Sequence, residues 1–134
     1  LVDAGFIVVA SGGGGIPIIE EDGVAKGVEA VIDKDLAGEK LAELIKADRF
    51  VILTDVEGAY LGFGTPEQKL LRNISSSEAR YYLELGEFGQ GSMYPKVLAC
   101  IRFVEAGGKE AVITELSRLK EALDGDAGTH IRLG

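Results

Sequence analysis

Three short segments of this sequence carry residue types that hold anions. The first is Ala10-Ser11-Gly12-Gly13-Gly14-Gly15-Ile16-Pro17, four glycines after an apolar run. Consecutive glycines let the backbone approach a ligand closely, and successive N–H groups can converge on an anion. The alternative, a plain turn, would spend chain entropy on four glycines to little purpose. No G-x-G-x-x-G leads into a helix here, and no G-x-x-x-x-G-K-[ST] occurs, so neither common nucleotide fingerprint is present. The second segment is Asp33-Lys34-Asp35 at the start of a predicted helix. Acids belong there because of the helix dipole, whereas Lys34 opposes the dipole unless an anion sits beside it. The third is Gly89-Gln90-Gly91-Ser92-Met93-Tyr94-Pro95-Lys96, a glycine-rich loop feeding a helix with a lysine in its first turn. Backbone N–H groups, the positive dipole end and an ammonium would converge there on one anion. The plainer reading is a surface lysine lying along its loop.

A fourth candidate, Thr54-Asp55-Val56, ends a predicted strand, the place where open α/β sheets put ligands. Asp55 there could bind ribose hydroxyls or a metal-bound water, or simply cap a turn. His130 is the single histidine and has no partner pattern, so it receives no role and a zinc site is not credible. Two lysines and an aspartate without an evident nucleophile suit phosphoryl transfer, which needs positioning and charge neutralisation more than covalent chemistry. Mg²⁺ in such a site rides mostly on phosphates and waters.

Strands and helices alternate in the pattern that must position these groups. Phe6–Ala10 reads as a buried strand, Ile16–Ile19 and Lys26–Ile32 as extended stretches about a turn at Glu21-Asp22-Gly23, and Arg49–Leu53 as another buried strand. A helix is expected over Asp33–Lys46, capped by Asp33, with Leu36, Ala37, Leu41, Leu44 and Ile45 as its apolar stripe. Ser75-Ser76-Ser77-Glu78 is a capping box opening a helix to Leu85. A further helix spans Met93–Ala106 and stops at Gly107. Residues 110–114 form a strand, 116–123 a helix and 129–133 a final strand, with a short strand also expected over 70–74. This alternation predicts one three-layer α/β/α domain over residues 1–134 with a largely parallel sheet.

Composition narrows the function classes. The 134 residues are 46% hydrophobic and 27% charged, an ordinary globular profile that buries roughly two-thirds of the unfolded surface. A net charge of −8 argues against nucleic acid as a partner. The lone Cys100 sits in an apolar helical pattern, reads as core and forms no internal disulfide, which suits the cytoplasm. No apolar run is long enough for a membrane helix and no signal-peptide pattern appears. Leu1-Val2-Asp3-Ala4-Gly5 reads as the last turn of a helix with its terminating glycine, so further sequence upstream is expected.

The segments ASGGGGIP (10–17), GVEAVIDKDLAGEKLA (27–42), ILTDVEGAYLGFGTPEQ (52–68), GSMYPKVLACIRFVEAGG (91–108) and GTHI (128–131) together resemble the carbamate kinases, within the amino-acid kinase superfamily. They occur in family order over nearly the whole chain, and the second is the most specific. The resemblance is to the C-terminal, nucleotide-binding half, and implies an amino-acid-kinase-like C-terminal domain. It also implies reversible phosphoryl transfer from ATP to carbamate, giving ADP and carbamoyl phosphate with Mg²⁺. By motif, Asp35 would orient the catalytic lysines, and Lys34 and Lys96 would contact the transferred phosphate. Ser11, Gly12, Gly13, Gly14 and Gly15, with Asp33, would lie beside the carbamate. Thr54, Asp55, Val56, Phe63, Gly91, Ser92, Met93 and Pro95 would frame the nucleotide.

Two departures qualify the resemblance. Tyr94 stands where a GSMGPK-like motif has glycine, so its side chain either crowds the nucleotide or turns outward. Family members are about twice as long, and their other half supplies a first glycine loop, a further lysine and much of a homodimer interface. The isolated chain is therefore expected to be inactive. A non-catalytic nucleotide-binding or regulatory module, and a sibling kinase acting on another small acid, are the alternative readings. The DKD segment favours carbamate over those siblings, which usually carry asparagine there.

Overall fold

Local signals in the chain set most element ends. In the computed structural model, which describes residues 1–12, 15–89 and 91–134, Asp22 and Gly23 both take positive φ (52° and 75°) and join strands β1 (Ile18–Glu21) and β2 (Val24–Gly27). Asp-Gly at a two-residue hairpin turn requires that backbone. Helix α1 (Lys34–Leu44) starts where the Asp33 carboxylate accepts from the N–H groups of Asp35 and Leu36. Helix α2 (Ser76–Glu84) opens with a complete capping box, Ser75 and Glu78 each bonding the other's backbone N–H. Helix α3 (Met93–Glu105) stops just before Gly107, whose φ is 108°.

Strands β3 (Arg49–Thr54), β6 (Asn73–Ser75), β7 (Glu110–Glu115) and β8 (Thr129–Arg132) form one sheet in the order β3-β7-β8-β6. A small ribbon pairs β4 (Tyr60–Leu61) with β5 (Lys69–Leu70). The main sheet is mixed rather than largely parallel. β3 runs parallel to β7 and β6 to β8, but β7 and β8 are antiparallel. Between β7 and β8 the chain makes a 3-10 turn (Leu116–Arg118) and one short helix, α4 (Leu119–Asp124).

Helix α3 is the centre of the core. Val97, Ala99, Cys100, Ile101, Phe103 and Val104 are all buried, so it is apolar nearly all round. It lies between the sheet and helices α1 and α2. Strand alternation sends Ala111 and Ile113 of β7 to that side, while Val112 packs with Ala122 of α4, Ala127 and Val51.

Several expectations fail in instructive ways. Phe6–Ala10 forms no strand, and Ile7 and Val9 are each 98% exposed, because the segment finds no ladder partner among the described residues. Residues 28–32 likewise lie outside the hairpin. β3 is an edge strand on which only Ile52 is buried. The fully buried residues of α1 are Asp35, Glu39 and Ala42, whereas of its apolar stripe Leu36, Ala37 and Leu41 are half-buried and Leu44 and Ile45 exposed. Leu1–Gly5 does make a helix stop, a 3-10 turn over Val2–Ala4 closed by Gly5 at φ 82°. No helix among the described residues is long and apolar enough to cross a membrane.

His130, given no role from sequence, is buried. Its Nδ1 lies 3.0 Å from Glu110 Oε1 and its Nε2 2.9 Å from the Ala127 carbonyl. Glu110 also takes Arg49 Nε at 2.9 Å and an ion pair with Arg132. Burial pushes the Glu110 carboxyl up. The His130 hydrogen bond and the Arg132, His130 and Arg49 charges outweigh it and hold the group below the usual carboxylate value. The stability it contributes is complete above the ordinary pKa of 4.5 and is lost as pH falls through the folded value. Glu110→Gln should therefore cost about 2–3 kcal/mol at pH 7, since two of its cations keep half their surface in water. Urea melts of both proteins at pH 7 and pH 3.5 (about one unit below the ordinary value) check this: the gap must shrink at the lower pH.

Glu39 behaves in the opposite sense. It is buried, its Oε1 has no hydrogen-bond partner among the described residues, and burial raises its pKa above the ordinary 4.5. Its favourable contribution is present below that value and lost as pH rises through the folded one. Glu39→Gln should raise stability at pH 7 by roughly 1 kcal/mol and leave it nearly unchanged at low pH. Thermal melts that move the other way would contradict the assignment.

Candidate functional site

The cap on α1 sets the first charged group. With Asp33 spent on the N–H groups of Asp35 (2.8 Å) and Leu36 (3.0 Å), the Asp35 side chain turns inward and is 8% exposed. There it meets Lys96, one turn into α3 and 5% exposed, with Nζ 2.8 Å from Asp35 Oδ2. Lys34 Nζ stands 3.7 Å from the same oxygen, on a side chain that is 65% exposed. The structure thus brings Lys34, Asp35 and Lys96 onto one point, from residues 61 apart in sequence. The nearby Cys100 is buried, and burial, then the Asp35 charge, pushes its thiol far up, so it is no thiolate nucleophile.

A cavity of about 630 Å³ lies at the C-terminal end of β3 and the N-terminus of α3. Thr54, Asp55, Val56, Phe63, Gly91, Ser92 and Met93 all line it. Thr54 Oγ1 donates to Asp55 Oδ1 at 3.1 Å. Ser92 makes no side-chain cap, so the first N–H groups of α3 lack a capping side chain where the cavity meets the helix end. Pro95 does not line the cavity. It occupies the third helical position, where its missing N–H costs nothing. Tyr94 also stays out of the lining and is 38% exposed, so it does not crowd this space.

Sequence reasoning missed other parts of this wall. Tyr60 stacks obliquely on Phe63, with ring centroids 5.8 Å apart. Glu87, after α2, accepts from the Gly62 N–H at 3.2 Å and ties one side of the cavity to the other. The signal for the first was available in the spacing of two aromatics within Gly58–Gly64. Glu87 had none, because its partner is 25 residues away.

A second cavity of about 410 Å³ is lined by Ser11, Gly12, Lys34, Asp35 and Gly38 beside β3. It unites part of the glycine run with two of the charged candidates. Gly13 and Gly14 lie outside the described residues. Gly15 and Asp33 are not among its lining residues. A Cβ at Gly12 or Gly15 would meet nothing within 4 Å, so the chain's own packing does not require glycine there. The first turn of α3 links the two spaces: Met93 lines the larger, and Lys96 bonds the aspartate of the smaller. No group of three metal-ligating side chains occurs among the described residues.

Comparisons with known proteins identify the family. Residues 1–115 match the model of the amino acid kinase family. A carbamate kinase from Thermococcus kodakarensis is 61% identical over 131 residues, covering 98% of this chain and 42% of the relative. One from Pyrococcus furiosus is 60% identical over the same coverage. The chain thus spans less than half the length of these curated relatives. Among solved structures, carbamate kinase from Giardia lamblia bound to AMP-PNP superimposes with a TM-score of 0.85 at 45% identity, over 91% of this chain and 43% of that one. N-acetylglutamate synthase from Neisseria gonorrhoeae shares the fold alone, with a TM-score of 0.62 at 21% identity. With a family model matching most of its length, this chain, an α/β fold with a mixed sheet, belongs to the amino acid kinase family.

Proposed function

We propose that this chain is the nucleotide side of a carbamate kinase, catalysing ATP + carbamate ⇌ ADP + carbamoyl phosphate in its longer parent. The observation that carries the reading is the buried Asp35–Lys96 pair with Lys34 on the same carboxylate oxygen, at the helix turn linking two cavities. What favours catalysis over nucleotide binding alone is Lys34, a second and largely exposed ammonium on the same carboxylate oxygen beside the smaller cavity. On this reading residues 1–134 are one C-terminal domain of a three-layer α/β/α kinase that works as a cytoplasmic homodimer, without nucleic acid or membrane partners.

The nucleotide occupies the larger cavity, framed by Thr54, Asp55, Val56 and Phe63, with its phosphates at the α3 N-terminus near Gly91, Ser92 and Met93. Pro95 acts there by shaping that turn. The Giardia relative was solved with AMP-PNP, a nucleoside triphosphate analogue, which supports a nucleotide in this family's site. Carbamate and the transferred phosphoryl group sit in the smaller cavity beside Ser11 and Gly12, and the family motif assigns Gly13, Gly14, Gly15 and Asp33 to the same substrate. Asp35 fixes the Lys96 ammonium, and both lysines neutralise charge that grows on the phosphoryl oxygens. Because the described residues offer no three-ligand cluster, Mg²⁺ would ride on phosphates and water, with Asp55 the nearest carboxylate in the larger cavity.

Calorimetric titration of this chain with MgADP tests the reading. Saturable binding is expected, and no ATP formation from carbamoyl phosphate by the chain alone. Lys34→Ala is the clean catalytic probe, since that side chain is largely exposed. In the longer kinase it should cut turnover about a hundredfold or more with an unchanged melting temperature. Lys96→Ala should also cost about 3–5 kcal/mol of stability by stranding a buried carboxylate. Near-normal turnover in Lys34→Ala would remove it from the mechanism.

A further inference from the structure

The irregular segment Asp55–Ala59 walls the larger cavity through Asp55, Val56 and Gly58, yet Glu57 is absent from the lining. Its side chain turns away and is held from behind. Glu57 Oε1 accepts from Arg72 Nη2 at 2.9 Å and from Arg118 Nη1 at 2.7 Å. Each arginine is anchored a second time: Arg72 Nη1 donates to the Asp126 carbonyl at 3.2 Å, and Arg118 Nε donates to Glu121 at 2.8 Å. The end of the segment reaches β8 through the Ala59 N–H on Thr129 Oγ1 at 2.8 Å, a bond that depends on how the segment is seated. A Cβ on Gly58 would come within 2.5 Å of that hydroxyl, so wall and β8 touch there.

We infer that Glu57 is a positioning residue: its double-arginine clamp sets the backbone of Val56 and Gly58, and thereby the shape of the nucleotide cavity. The inference rests on the nucleotide reading above for its consequence, but on these contacts for its mechanism. A lone exposed ion pair would carry little weight. Here one carboxylate oxygen is shared by two guanidinium groups whose other bonds already fix them, so little side-chain entropy remains to be lost. The clamp also joins the cavity wall to two distant stretches, the β5–β6 link and the turn after β7.

The test uses the 134-residue chain, Glu57→Gln, the paired variant Arg72→Met/Arg118→Met, and the triple variant combining them. MgADP affinity, hydrogen exchange at the Ala59 amide and melting temperature are measured on each. The expected result is affinity weaker by roughly three- to tenfold in Glu57→Gln and in the arginine pair. Ala59 exchange should be faster in both, melting temperature should move little, and the triple variant should be no worse than either parent. Unchanged affinity and exchange, or strictly additive losses in the triple variant, would overturn the clamp. If the unaltered chain binds no MgADP, the nucleotide reading fails, and exchange at Ala59 still decides the clamp: faster exchange upholds it and unchanged exchange overturns it.

Discussion

The ion pair between Asp35 and Lys96 is the constraint around which the molecule is arranged. Removing two charges from water costs several kcal/mol per ion, recovered only when geometry and further bonds are good. At 2.8 Å, with both groups more than nine-tenths buried, the pair forces helices α1 and α3 into one relative position. That explains why α1 turns a polar face to its neighbour and leaves Leu44 and Ile45 in solvent. An apolar seam would tolerate sliding; a point contact between charges does not. The same contact fixes where an ammonium stands relative to the N-terminus of α3, and so couples packing to chemistry.

Around that point the local field opposes the global one. The chain carries a net charge of −8, but Lys34, Lys96 and the N-terminus of a 13-residue helix collect at the two cavities. Asp55 and Glu87 line the larger cavity, so the excess of cations is confined to Asp35, where one carboxylate meets two ammonium groups. On the proposed function, the positive character left at Asp35 is what an incoming phosphate meets.

Much of this was legible in the sequence where the causes were local. Asp33 as a cap, the Ser75–Glu78 box, the Asp22-Gly23 turn and the arrest of α3 at Gly107 each depend on residues within four positions. Lys34, Asp35 and Lys96 were recognisable from motif, though only the folded chain shows them meeting. What escaped depended on distant partners. Periodicity placed the buried stripe of α1 on its leucines, since nothing near Asp35 announces a lysine 61 residues on. The run Phe6–Ala10 has every local property of a strand, and a strand needs a neighbour to exist. His130 looked idle because its carboxylate partner lies 20 residues away on the adjacent strand.

One arrangement recurs at three carboxylates of this acidic chain, with the buried Glu39 outside it. Asp35 faces two lysines, Glu57 two arginines, and Glu110 two arginines and the His130 ring. Each acid is the hub on which cations from separate elements converge, and each hub sits between pieces that apolar packing alone would leave free to shift. Excess cations at a hub have unequal consequences. Around Glu57 and Glu110 each arginine is tied down by a second bond to a backbone carbonyl or another side chain, and in that sense those hubs are closed. At Asp35 the second cation, Lys34, keeps most of its surface in water beside a cavity. A closed hub can only hold structure, whereas a hub with an unspent cation can also receive an anion. On the proposed function, that difference in free donors, more than any difference in residue type, makes Asp35 the centre of chemistry and the other two its framework.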